Sequence, residues 1–166
     1  MGPHGPARRR PDGRGSAADL HRGLIRELGV GETHLAYEAM LVLRPRIGSA
    51  SDFQKRVDEV QRPEGYRLIG WFDDSDEQAT SAAGFRLFHM LAWPFTMYCD
   101  DLSTRPEFRG KGHAGKLLDW MIEEARQLGC DEFHLDSNVG PERLDAHRLY
   151  FNKRMRISAY HFSRPV

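Results

Sequence analysis

The stretch RPEFRGKGHAGKLL, Arg105–Leu118, decides the reading of this chain. Gly110-Lys111-Gly112-His113-Ala114-Gly115 fits G-x-G-x-x-G, and Gly110 to Lys116 fits G-x-x-x-x-G-K-[ST] in every place but the last. Arg109 to Ala114 also reads R-x-x-G-x-A. Glycines in such a run let a ligand approach the main chain, and the free N–H groups of the helix that follows face an anion. All three patterns predict a phosphate-bearing molecule, and the surrounding residues choose between them.

A nucleoside-triphosphate loop needs Ser or Thr after its lysine to hold Mg²⁺. Leu117 stands there, on an apolar stripe, and cannot ligate a metal. A dinucleotide-binding turn needs its first glycine almost directly after a strand. Here STRPEFR intervenes, with a proline inside it. Asp136, 21 residues past Gly115, is well spaced for a ribose contact, but the chain is too short for the alternating units that fold requires.

Outward from the loop, Ala114, Leu117, Leu118, Met121, Ile122, Ala125 and Leu128 recur at helical spacing, and Gly129 is placed to end that helix. A strand is expected at 130–137, so 95–137 reads as strand, helix, strand, which implies a parallel pair near 95–102 and 131–136. Upstream, 65–72, 81–91 and 95–103 alternate as an antiparallel meander. Tyr66, Leu68 and Gly70 fall on one face of the first of these strands, Ile69 and Trp71 on the other. Helices are expected over 33–43, over 49–61 with Ser51 or Asp52 as N-cap, and over 141–154 with Pro141 in its first turn. A weakly marked strand at 24–30 and a last strand at 157–162 complete a mixed α/β fold.

The 166 residues suit one domain, expected over 21–166 behind a disordered Gly-, Pro- and Arg-rich tail at 1–20. Formal net charge is zero, so nothing global points to nucleic acid, and no apolar run approaches the length of a membrane span. Arg8-Arg9-Arg10 and Asp73-Asp74 read as solvated charge. The tail has no apolar core for a secretory signal, and Pro6 stands where a myristoylation motif needs Ser or Thr. Cys99 and Cys130 are too few and too far apart for a disulfide framework or a metal knuckle, which fits a reducing cytoplasm.

A strand, a short loop ending in Pro-x-x-Arg-Gly-x-Gly and a long amphipathic helix resemble the signature motif of the GNAT N-acetyltransferase superfamily. DAHRLYFNKR, 145–154, resembles that family's second motif, an Ala-x-x-Leu-Tyr helix. The resemblance covers roughly residues 22–164. It departs at Ala114, where a glycine is usual, and at Met155-Arg156, which replace a usual Gly-Phe. It implies a mostly antiparallel sheet with one splayed parallel pair, flanked by helices, and acetyl-CoA as cosubstrate.

The resemblance also assigns roles. The coenzyme's diphosphate meets main-chain N–H groups of Arg109, Gly110, Lys111, Gly112, His113, Ala114 and Gly115, with Lys116 nearby. The pantetheine arm lies along Leu102, Ser103 and Thr104, and Asn138 bonds it. Leu102 N–H is a donor for the developing oxyanion. Tyr150 is the acid that protonates the leaving thiolate; its other reading is an aromatic packed on the sheet. Strict alternation puts Thr96, Tyr98, Asp100 and Leu102 on one face, with Met97, Cys99 and Asp101 on the other. That parity makes Asp100 the strand-borne base, unless it is a salt-bridged strand end. Asp101 competes if a bulge shifts the register, and a water relay with no base is also open.

His147 reads as a helix-surface residue, and His134 and Asp136 as either acceptor-side or structural. His161 on the last strand is a weaker acceptor-side candidate, and Cys99 reads as a small buried hydrophobe. The acceptor is expected to be a modest-sized amine, small molecule or peptide, with a homodimer possible. The competing function is a non-catalytic acyl-CoA sensor on the same fold.

Overall fold

The computed structural model describes residues 23–74 and 76–166. The tail at 1–20, with Arg8-Arg9-Arg10, lies outside them. Among the described residues, five strands form one sheet in sequence order: β1 (Leu24–Glu27), β2 (Arg67–Phe72), β3 (Ser81–His89), β4 (Phe95–Thr104) and β5 (Glu132–Leu135). The first four pair antiparallel, and β5 joins β4 in parallel from Thr96↔Glu132 to Cys99↔Leu135. Among the same residues, four α-helices flank the sheet: α1 (Tyr37–Leu43), α2 (Ala50–Arg56), α3 (His113–Gln127) and α4 (Leu144–Asn152).

The alternation expected of β2 decides what covers each face. Ile69 and Trp71 pack with Phe85, Met97 and Cys99 under the stripe of α3, where Leu117, Leu118 and Met121 are fully buried. Tyr66 and Leu68 pack on the opposite face with Met40 of α1, Phe53 of α2 and Val57. Each such buried side chain is worth about 1.5–3 kcal/mol, so the two clusters hold helices on both faces. Gly129, at φ +77°, ends the helical run that α3 begins.

Three expectations change. The cap of α2 is Ser49, not Ser51 or Asp52. Ser49 accepts from the Asp52 amide while the Asp52 carboxylate accepts from the Ser49 amide. Helix 33–43 begins as a 3₁₀ turn at Thr33–Ala36. The last strand does not form: 157–166 is exposed and in no ladder, so β5 stays an edge. Strand preference in ISAYHF is a preference for a packed, half-buried surface, and these residues are all exposed.

Candidate active site

The loop between β4 and α3 is built from a short turn and two left-handed glycines. Pro106–Phe108 forms a 3₁₀ turn, closed by the Arg109 amide donating to Pro106 O at 3.2 Å. Gly110 and Gly112 follow at φ +77° and +82°. A Cβ on either would meet nothing within 4 Å, so glycine is required here by backbone conformation rather than by crowding. Gly112 is the N-cap of α3 and provides no side-chain cap. The first helical bond is Lys116 N to Gly112 O, 3.1 Å, which leaves the amides of Ala114 and Gly115 without a helical acceptor.

The rest of the loop is pinned from behind. The His113 ring is buried, 3.0 Å from Thr80 Oγ1 through Nδ1 and stacked on Trp71 at 5.2 Å. Lys116 lies over Trp71 at 4.2 Å and Lys111 over Phe108 at 4.5 Å. Both ammonium groups are thus held beside the turn. Gly115 faces α4, where an added Cβ would sit 3.5 Å from Leu149 Cδ1.

A β-bulge opens the sheet beside this helix. Gly84 pairs with Asp101 and Phe85 with Cys99, so Asp100 has no partner of its own in β3. The expected parity therefore fails past Cys99. Leu102 packs with the Met97 and Cys99 cluster, while Asp101 meets Arg44 and Tyr66, and Asp100 meets Arg86, whose guanidinium lies over the Tyr66 ring. Arg86 Nε donates to Asp100 at 2.7 Å; Arg44 Nε and the Tyr66 hydroxyl donate to Asp101 at 2.8 and 3.1 Å. Burial raises the Asp100 carboxyl above the ordinary carboxylate range, and Arg86 opposes it.

Past the bulge, Arg105 N donates to Thr80 O and Ser103 O accepts from Ser81 Oγ, so these residues turn their main chain toward β3. Main-chain direction alternates along a strand, so Leu102 and Thr104 turn theirs the other way. There β5 has already ended at Leu135. The result is an open cleft of ≈ 920 Å³ bordered by Asp100, Leu102, Asn138 and Tyr150.

Helix α4 delivers Tyr150, nine-tenths buried, to this cleft. Burial raises its phenol above the ordinary tyrosine value; Arg143, with Nη2 3.5 Å from the oxygen, and Ser137 pull it down. The phenol is a protonated donor at neutral pH. His147 Nε2 donates to Asn138 O at 2.9 Å and lies 3.1 Å from Ser137 Oγ, so it ties α4 to the chain leaving β5. The surface reading of His147 is thereby corrected. Arg143, Ser137 and Arg86 belong to no sequence motif and were legible only once the helix and strand ends met.

The remaining polar candidates have structural partners. His134 stacks on Trp93 at 4.1 Å and lies 2.5 Å from Glu132. Asp136 pairs with His161 at 2.8 Å, and burial, together with a hydrogen bond to Asp136, pushes the Tyr98 phenol well up. Burial pushes the Cys99 thiol well up, so it is no nucleophile at neutral pH.

The α3 start, where the Ala114 and Gly115 amides have no acceptor within the helix, thus lies beside an opened parallel strand pair and a protonated phenol. The chain belongs to the acetyltransferase (GNAT) family, whose model matches residues 26–155. Over 79 residues it is 36% identical to an aminoalkylphosphonate N-acetyltransferase of Salmonella typhimurium, covering 48% of this chain and 50% of the relative. Over 97 residues it is 26% identical to a thialysine N-epsilon-acetyltransferase of Sus scrofa, covering 51% and 57%. These alignments span about half the length of the curated relatives. An aminoglycoside N-acetyltransferase solved in complex with CoA superposes with a TM-score of 0.69 at 16% identity, over 87% of this chain and 95% of that one. Members of the family use acetyl-CoA.

Proposed function

We propose that residues 21–166 form an acetyltransferase domain that moves an acetyl group from acetyl-CoA to a primary amine. The observation that carries this reading is the α3 start: the Ala114 and Gly115 amides without helical acceptors, behind Gly110 and Gly112, with Tyr150 on the cleft of the adjoining strand gap. The residues fit the coenzyme. Amides from Gly110 to Gly115 match a diphosphate, with Lys111 and Lys116 adding positive charge. The Arg109 amide already closes its turn and leaves that set. Leu102 and Thr104 offer the pantetheine arm a strand edge, with Asn138 opposite. Ser103, turned to β3, serves through the strand's shape. The coenzyme supplies an activated thioester carbonyl.

The chain's own residues do the rest. Leu102 N–H faces the gap and is placed to donate to the carbonyl oxygen as charge develops there. Tyr150 donates its proton to the departing sulfur. Asp100, its proton affinity raised by burial, accepts the proton lost by the amine. Asp101 is a poorer base, because Arg44 and Tyr66 both hold its carboxylate.

Thiol release from acetyl-CoA with a panel of primary amines tests this. Release that requires amine and collapses in Tyr150→Phe is expected. Coenzyme binding without release for any amine would instead mark an acyl-CoA sensor.

A further inference from the structure

The turn between α1 and α2 forms a second, smaller pocket of ≈ 350 Å³, lined by Leu43, Arg44, Pro45, Arg46, Ile47 and Arg56. Leu43 and Arg44 also line the large cleft, so the two adjoin. The turn is well built. Ile47 N donates to Arg44 O at 3.0 Å, Tyr37 Oη donates to Gly48 O at 2.9 Å, and Ser49 caps the next helix.

The three arginines differ in how they are engaged. Arg44 faces the reaction side: its Nε is on Asp101 and its Nη2 is 3.2 Å from Asp100 O. Among the described residues, Arg46 and Arg56 have no ion-pair partner within 4.0 Å. The nearby Asp52 carboxylate is already held by Ser49 in the capping box. Two exposed guanidinium groups without an ion-pair contact therefore share one pocket, which Pro45 and Ile47 also line.

We propose that this pocket binds a phosphate or phosphonate carried by the acceptor amine, with Arg46 and Arg56 reading the anion. A carboxylate would balance only one of the two charges. A phosphoryl or phosphonyl group carries about −1.5 to −2 charge at neutral pH and offers three acceptor oxygens to guanidinium forks. Arg44, held in place by Asp101, sets the boundary between the anion pocket and the cleft bordered by Asp100. The substrate is then a short molecule, anionic at one end and a primary amine at the other.

The inference rests on the acetyl-transfer reading, and its test separates the two. Thiol release is measured with 2-aminoethylphosphonate, β-alanine and ethanolamine, on the wild type and on R46Q/R56Q. The wild type should favour the phosphonate over ethanolamine by at least about ten-fold in kcat/KM, with β-alanine between. In R46Q/R56Q that ratio should fall about ten-fold or more, through KM rather than kcat, while KM for acetyl-CoA stays put. A wild-type ratio near one, or a ratio kept by the variant, overturns the proposal. Release that is absent with all three amines counts against the transfer reading alone. Titration with methylphosphonate, followed by arginine Nε–H NMR, then decides the pocket. Saturable shifts lost in R46Q/R56Q uphold it, and no shift at millimolar ligand overturns it. A raised acetyl-CoA KM in the variant would assign the arginines to the coenzyme's own phosphates and also overturn it.

Discussion

The hydroxyl of Tyr66 lies directly over Gly84 and donates to Asp101 Oδ2 at 3.1 Å. Gly84 is the β3 residue at which the register with β4 shifts, so the phenol fills the space a side chain would occupy opposite the bulge. This three-strand arrangement turns Asp100 and Asp101 to one side and starts the divergence of β4 from β5.

Replacing Gly84 with Ala puts a Cβ 1.7 Å from Tyr66 Oη. The ring is buried and hydrogen-bonded, so it cannot simply swing away. Urea unfolding should show a loss of about 1–3 kcal/mol, as for other overpacked cores. Stability within about 0.5 kcal/mol of wild type would contradict the packing described.

Tyr150→Phe removes the phenolic proton and little volume. A general acid contributes typically about 10²–10⁴-fold, so kcat should fall by that order while calorimetric affinity for acetyl-CoA changes only a few-fold. Equal losses in both would assign Tyr150 to packing.

The pH dependence separates Asp100 from its neighbour. Burial raises the Asp100 pKa, and Arg86 holds it down. The acidic limb of kcat/KM should therefore lie above the ordinary aspartate range, move further up in Arg86→Gln, and vanish in Asp100→Asn. The folded protein binds this proton more tightly than the unfolded chain, so the stabilising contribution is fully present below the ordinary aspartate pKa and is lost as pH rises through the raised value. Unfolding free energies of Asp100→Asn should lack that fall. A limb unmoved by Arg86→Gln would remove Asp100 as the base.

Much of this fold is legible in the chain because its determinants are local and periodic. The stripe from Leu117 to Ala125 repeats at the period of one helix, and Gly129 marks its end without help from elsewhere. The alternation of Tyr66 to Trp71 likewise names both faces of the sheet. The bulge at Asp100 is different. It depends on Gly84 in the neighbouring strand and on Tyr66 just before the strand beyond, so no window along 95–104 reveals it. Residues 157–162 have strand-forming side chains but lie exposed and in no ladder, with the β5 edge left unpaired. His147 looks like any helix-surface histidine until Ser137 and Asn138 are brought beside it. The Ser49 and Asp52 capping box was present in the spacing, with Asp standing where Glu is more usual.

The His147 tie has its own consequence. His147→Ala should free the Ser137–Asn138 segment and weaken acetyl-CoA binding, with thermal stability changed little because the residue is only partly buried. Unchanged affinity would mean that this segment does not meet the pantetheine arm.

The most direct measurement is a titration of ¹⁵N-labelled protein with acetyl-CoA, read at each main-chain amide. The largest shifts should fall on Gly110, Gly112, His113, Ala114 and Gly115, with Leu102 and Thr104 responding in the gap, and all should disappear in Gly112→Asp. Amides from 110 to 115 that stay fixed at saturating coenzyme, while another surface responds, would contradict the account.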